Sequence, residues 1–175
     1  MTADFVAPSI KRRICVTLYE MMILLGVFAI GYLIPSLILG LYFDYQVPSW
    51  VAFVQTYALF GFYFIWYWTY SGQTLAMQTW HVKILDLNNQ LISKTHALKR
   101  YCISTLWLIP TVTIYGVIKL IFNAPLGHWP TIELMFCMAL FFWPITCLLD
   151  RKNSFGMQSL VDRLAKTRLV QLPKV

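Results

Sequence analysis

Apolar residues in this chain come in long blocks, and the polar ones are gathered between them. From Ile14 to Phe43 one charge, Glu20, interrupts the apolar run. Trp50 to Tyr70 and Tyr101 to Phe122 repeat the pattern, and Ile132 to Leu149 forms a shorter fourth block. A membrane crossing needs about 20 predominantly apolar residues. The pattern therefore predicts an all-α transmembrane fold: a four-helix membrane bundle of two helical hairpins. Each hairpin is closed by a short loop, at Asp44–Ser49 and Asn123–Thr131. The polar stretches, 71–100 and 150–175, complete what is expected to be one membrane domain over 1–175. Pro35, Pro110 and Pro144 interrupt three of the blocks. Each removes a backbone donor and predicts a kink; at Pro35 the sequence leaves open whether the first span ends or bends.

The polar segments carry shorter patterns. Gly72 predicts a break after the second span. Leu75, Met77 and Trp80 then suit a short amphipathic turn at headgroup level. "HVKIL" reads as a strand, "DLNNQ" as a turn, "LIS" as a second short strand, and "KTHALKR" as a helical lead into the third span. The tail repeats part of this plan. Gln73-Thr74-Leu75 aligns with Gln158-Ser159-Leu160, and at the same offset Lys83-Ile84-Leu85 aligns with Arg168-Leu169-Val170. Two related halves are expected, with "VKIL" and "RLVQL" paired as a small β element on the cytoplasmic side.

Charge supplies orientation. Of 14 basic residues, Lys11, Arg12 and Arg13 precede the first span. Lys83, Lys94, Lys99 and Arg100 lie between spans two and three, and six more follow the fourth. The two hairpin loops hold none, and Lys119 alone departs from the scheme by sitting near the outer end of span three. The positive-inside rule then places both termini and segment 71–100 in the cytoplasm. Composition agrees: 59% hydrophobic, 12% charged, with a mean hydropathy of +0.63, far from the roughly one-quarter charged residues of soluble domains. The net charge of +7 is accounted for by orientation and anionic headgroups, and no nucleic-acid motif accompanies it. The expected surroundings are a lipid bilayer, with a second copy or another membrane protein as partner.

Chemistry of other kinds finds little support. The four cysteines fall within spans without a C-x-x-C pair, which predicts neither zinc nor disulfides. The histidines lie at boundaries, where they do not suit haem. No nucleophile–base pair or phosphate-binding glycine loop is present, so no enzyme activity, cofactor or metal is expected. The residue that does call for explanation is Glu20. A carboxylate in hydrocarbon is costly, by about 2.5–3.5 kcal/mol on insertion scales. It must face the protein interior, stay protonated or find a cation. Arg13 lies two turns earlier near the same helix face; Arg100 and Arg163 are the other candidates. Two readings stand: a carboxylate that binds an ion or proton, or a polar lock between helices. Asp162 and Arg163 are adjacent in the tail, so each is expected to find its partner elsewhere.

"RRICVTLYE", "FIWYWTYSGQTLAMQTWHVKILD", "ALKRY" and "LVDRLAKTRLVQLPK" together resemble the RDD family of small integral membrane proteins, over nearly the whole chain. The resemblance implies that Arg13 takes the place of the family's arginine, Glu20 that of its first aspartate and Asp162 that of its second. Three positions depart from the pattern: Glu20 replaces aspartate, Ala76 a glycine and Val161 a histidine. The family implies a transport-related role for an ion or small ligand, with cation/proton exchange proposed for some members. The alternative is an accessory or scaffold protein that binds another membrane protein through its basic cytoplasmic face. In either case the charge cluster to follow is Arg13, Glu20, Arg100, Asp162 and Arg163.

Overall fold

The structure is a computed structural model that describes residues 7–45, 47–105, 151–153 and 156–172. The expected fourth span, and all of the third beyond Thr105, lie outside the described residues.

The first apolar block is one continuous helical rod in three parts. Helix α1 spans Ile10–Phe28, a π-helical turn spans Ala29–Leu33, and helix α2 spans Ile34–Phe43. Ser9 starts α1 as its N-cap, its side chain accepting from the Arg12 N–H. Pro35 neither ends the rod nor breaks it. It lacks the N–H that the Gly31 carbonyl four residues earlier would accept, and the helix widens by one residue per turn just before it. The side-chain amide of Gln55, from the next helix, donates to the Gly31 oxygen at 3.2 Å. A borrowed donor thus keeps the backbone satisfied through the proline. Gly31 also permits close approach, since a Cβ there would run into the side chain of Leu59.

Helix α3 spans Ser49–Tyr70 and packs on α1, on the π-helical turn and on helix α5, Lys94–Thr105 as far as described. Among the described residues one helix, Ile10–Phe43, is long and apolar enough to cross a membrane, with 34 residues and a most apolar 18-residue window of mean hydropathy 2.4. None of its most apolar window is buried within the protein; Ile30, Leu37 and Leu41 all face outward. A surface this apolar is favourable where the solvent is hydrocarbon.

The core lies at the other end of the rod. Leu24, Tyr63, Phe64, Trp68, Ile84, Ile92, Ala97 and Tyr101 form one buried cluster, so α1, α3 and α5 are gripped where the polar segments fold under them. Tyr101 fastens α5 to α3: its hydroxyl donates to the Tyr57 carbonyl at 2.7 Å.

Those polar segments are built twice. Helix α4 (Leu75–Thr79) is followed by strand β1 (Val82–Asp86). A short antiparallel pair, β2 (Arg151–Asn153) with β3 (Gly156–Gln158), precedes helix α6 (Leu160–Leu164) and strand β4 (Thr167–Gln171). The α4–β1 and α6–β4 units match position for position at an offset of 85. Thr74 and Ser159 are the N-caps. His81 and Lys166 turn the chain with φ of 52° and 51°. The same backbone bonds recur, Gln78 to Thr74 and His81 to Gln78 in one unit, Arg163 to Ser159 and Lys166 to Arg163 in the other. β1 and β4 pair antiparallel, so "VKIL" and "RLVQL" meet edge to edge. Residues 91–93, expected as a strand, are not one. The other edge of β1 is taken instead by the Gly72–Gln73 bend, through Ile84 N–H to the Gly72 carbonyl at 2.8 Å and Gln73 Nε2 to the Val82 carbonyl at 2.8 Å. Gly72 has a φ of +71°, and a Cβ there would meet the Ile84 oxygen at 2.9 Å. Only glycine fits that bend.

Candidate functional site

Where α1, α3 and α5 meet the two repeated units, the protein has a partly open cavity of about 100 Å³. Arg13, Thr17 and Glu20 line it from α1 and Arg100 and Ser104 from α5; Phe64 and Trp68 add aromatic wall from α3. Helical spacing explains the sharing, because residues three, four and seven apart lie on one face.

Glu20 is 7% exposed. It does not take an arginine: its Oε2 accepts from the Thr74 hydroxyl at 2.5 Å. The expected partnership with Arg13, Arg100 or Arg163 is replaced by a hydroxyl that is already a helix cap. Thr74 Oγ1 accepts from the Met77 N–H at 3.3 Å while donating to the carboxylate, so the start of α4 is fixed to the interior of α1. The Tyr63 hydroxyl faces the same carboxylate without reaching hydrogen-bond geometry. Glu20 Oε1 is buried with no hydrogen-bond partner among the described residues.

Arg100, 6% exposed, belongs to Asp162. Its Nη1 lies 2.6 Å from Asp162 Oδ1 and also donates to the Thr167 hydroxyl. Its guanidinium sits over the Trp68 ring, 5.2 Å from the centroid, and its Nε is buried without a partner among the described residues. Asp162 is fully buried. Its Oδ2 accepts from the Ser159 hydroxyl at 2.7 Å and from the Ser159 N–H at 3.3 Å, closing a capping box. The carboxylate thus starts α6 and neutralises a cation from α5 at once.

Arg13 is also buried, and its Nε donates to the Pro8 carbonyl at 3.2 Å. Arg163 stands apart; its Nε is buried but has no hydrogen-bond partner among the described residues. Of the five residues singled out in the sequence, Arg13, Glu20 and Arg100 line one cavity, Asp162 holds Arg100 in place, and Arg163 does not join them. Val161 lines the same space, so an apolar wall stands where the resembled motif has histidine.

Sequence reasoning missed Thr74, Ser104 and Trp68. The signal for Thr74 was present, since Gln73-Thr74-Leu75 aligned with a segment whose Ser159 is followed by an acid three residues later, as a capping box requires. Thr74 has Met77 at that position and draws its acid from another helix. Ser104 follows Arg100 by four residues, as Thr17 follows Arg13.

An outward-facing apolar rod long enough to cross a membrane, with Arg13, Glu20 and Arg100 around a cavity beside it, fits an integral membrane protein. The chain belongs to the RDD family, which it matches over residues 7–166. No curated protein and no solved structure matches it.

Proposed function

We infer that the protein is a four-span protein of the bacterial inner membrane, with both termini and the repeated units on the cytoplasmic side. Its cavity binds an ion or small ligand in a transport-related role. One observation carries the reading: a buried carboxylate with an oxygen that has no partner among the described residues lines a partly open, largely apolar pocket in the first helix's inner half. Buried polar groups are paired in the great majority of cases, and intramembrane acids often mark ion or substrate pathways. Basic residues before α1 and around α5 suit a cytoplasmic position by the positive-inside rule. A pathway is formed between copies of the chain or with another membrane protein, because four helices enclose little space of their own. Neither enzymatic chemistry nor a cofactor enters the proposal.

Purified protein in liposomes tests it. Proton or ion flux above empty vesicles, abolished in a stably folded Glu20→Gln variant, is the expected result. Absence of flux in the wild type, with Glu20→Gln lowering only thermal stability, rejects transport. Membrane-impermeant labelling of single cysteines near the two termini tests orientation; labelling from opposite sides of the membrane rejects the four-span arrangement.

A second reading is an accessory protein that holds a membrane partner through its basic face. It is favoured by exposed Leu87, Leu91 and Leu98 close in sequence to Lys94 and Lys99. Co-purification that persists in Glu20→Gln but is lost in Lys94→Glu/Lys99→Glu supports it.

A further inference from the structure

We propose that the cavity takes one small dipolar molecule, with N–H donors at one end and oxygen acceptors at the other, of about the size of glycine. The proposal rests on the reading that this cavity binds a ligand, but not on transport.

Two side chains that line the space each keep one buried atom without a partner among the described residues. Glu20 Oε1 accepts hydrogen bonds and has none; Arg100 Nε donates and has no acceptor among the described residues. Both side chains are more than nine-tenths buried and both line the same space. A ligand that satisfies both must offer a donor and an acceptor.

Charge narrows the class. Arg100 is already neutralised by Asp162 at 2.6 Å. Arg13 and Glu20 line the cavity with opposite charges. A bare cation at Glu20 would share the space with the Arg13 and Arg100 side chains, and a bare anion at Arg100 would share it with Glu20. Either adds like-charge repulsion where screening is weak. A molecule with no net charge and two polar ends avoids both.

Size and wall agree. A space of about 100 Å³ is several times the roughly 10–15 Å³ that admits a single water, and it has room for one molecule of a few heavy atoms. Phe64, Trp68 and Val161 offer apolar wall for a methylene between the polar ends. Both halves of the chain contribute like groups, Arg13 with Thr17 and Arg100 with Ser104, each pair four residues apart on its helix.

Binding to the full chain in lipid nanodiscs tests the proposal, using radiolabelled glycine. Acetate, methylammonium and sodium serve as probes with one end only. Saturable glycine binding is expected, with thermal stabilisation that grows with glycine concentration, while the one-ended probes give neither. Glu20→Gln should weaken glycine binding at least tenfold. Should Glu20→Gln fold poorly, Val161→Phe, which fills the space without touching either unpaired atom, should retain a folded protein and lose the binding. Glycine binding no stronger than that of the probes, or unchanged in both variants, overturns the proposal and leaves ordered water as the cavity's content. Methylammonium or sodium binding that depends on Glu20, without glycine binding, overturns this ligand class and leaves the proposed ion-binding function standing.

Discussion

Ile84 stands opposite Leu169 in the antiparallel strand pair, and the two hold the same place in their respective helix–turn–strand units. The centre of pairing therefore coincides with the offset of the repeat. A half-turn about that point carries α4–β1 onto α6–β4, so the two units form a pseudo-symmetric pair packed against α1 and α5. The symmetry stops at the charges. Thr74 gives its hydrogen to Glu20 of a distant helix, whereas Ser159 gives its own to Asp162 within the same turn.

Burial distinguishes the two halves of this pair. Ile84 is fully buried in the main cluster, while Leu169 is partly buried against it. Truncating a buried aliphatic residue costs about 2–5 kcal/mol. Ile84→Ala should therefore lower the thermal midpoint clearly more than Leu169→Ala. The comparison is made by thermal unfolding of the purified variants, and an equal or reversed order would contradict the packing described.

Thr74 serves two partners with one hydroxyl. Thr74→Val keeps the shape but removes the cap acceptor and the donor to Glu20. Loss of a cap costs about 1 kcal/mol, and loss of a hydrogen bond to a charged group about 1.5–3 kcal/mol. A combined destabilisation of about 2–4 kcal/mol is expected, with Thr74→Ser near wild type. If Thr74→Ser falls as far as Thr74→Val, the methyl group rather than the hydroxyl is what matters.

Arg100 and Asp162 form a buried pair, and removing one partner strands the other. Asp162→Asn should destabilise by about 3–5 kcal/mol. Arg100→Lys should not behave as wild type, because an ammonium cannot reproduce the planar stack over Trp68. A double-mutant cycle with Asp162→Asn and Arg100→Gln should show strong coupling; additive losses would mean that the contact contributes nothing.

Gln55 matters because Pro35 exists. Gln55→Leu leaves the Gly31 carbonyl without its side-chain donor, which in hydrocarbon costs more than in water. Pro35→Ala returns a backbone N–H that can close the helix. Gln55→Leu is thus expected to destabilise by about 1–2 kcal/mol in the native background and by much less beside Pro35→Ala. Equal costs in both backgrounds would show that the amide does not compensate for the proline.

Much of the architecture was written in local pattern. The apolar run from Ile14 to Phe43 announced a membrane rod, since hydrocarbon accepts only backbone that is hydrogen-bonded within its own segment. Gly72 announced a break because its backbone angle is closed to other residues. The two "QTL/QSL" segments announced a repeat, since caps, turn and strand follow one another within a dozen residues. Each of these signals acts through neighbours in sequence.

Who pairs with whom was not legible in the same way. The sequence placed Arg13 two turns from Glu20 and suggested an ion pair, yet tertiary packing brought Thr74, fifty-four positions away, against that carboxylate and gave Arg100 to Asp162. Likewise, nothing local to Pro35 announced that Gln55 would lend its amide. A buried polar group takes whichever partner reaches it in the folded state with good geometry and least desolvation, and reach is a property of packing. The chain alone determined its solvent, its repeat and its charged residues; only the fold decided which of those charges close on each other and which keep an unpaired atom beside the cavity.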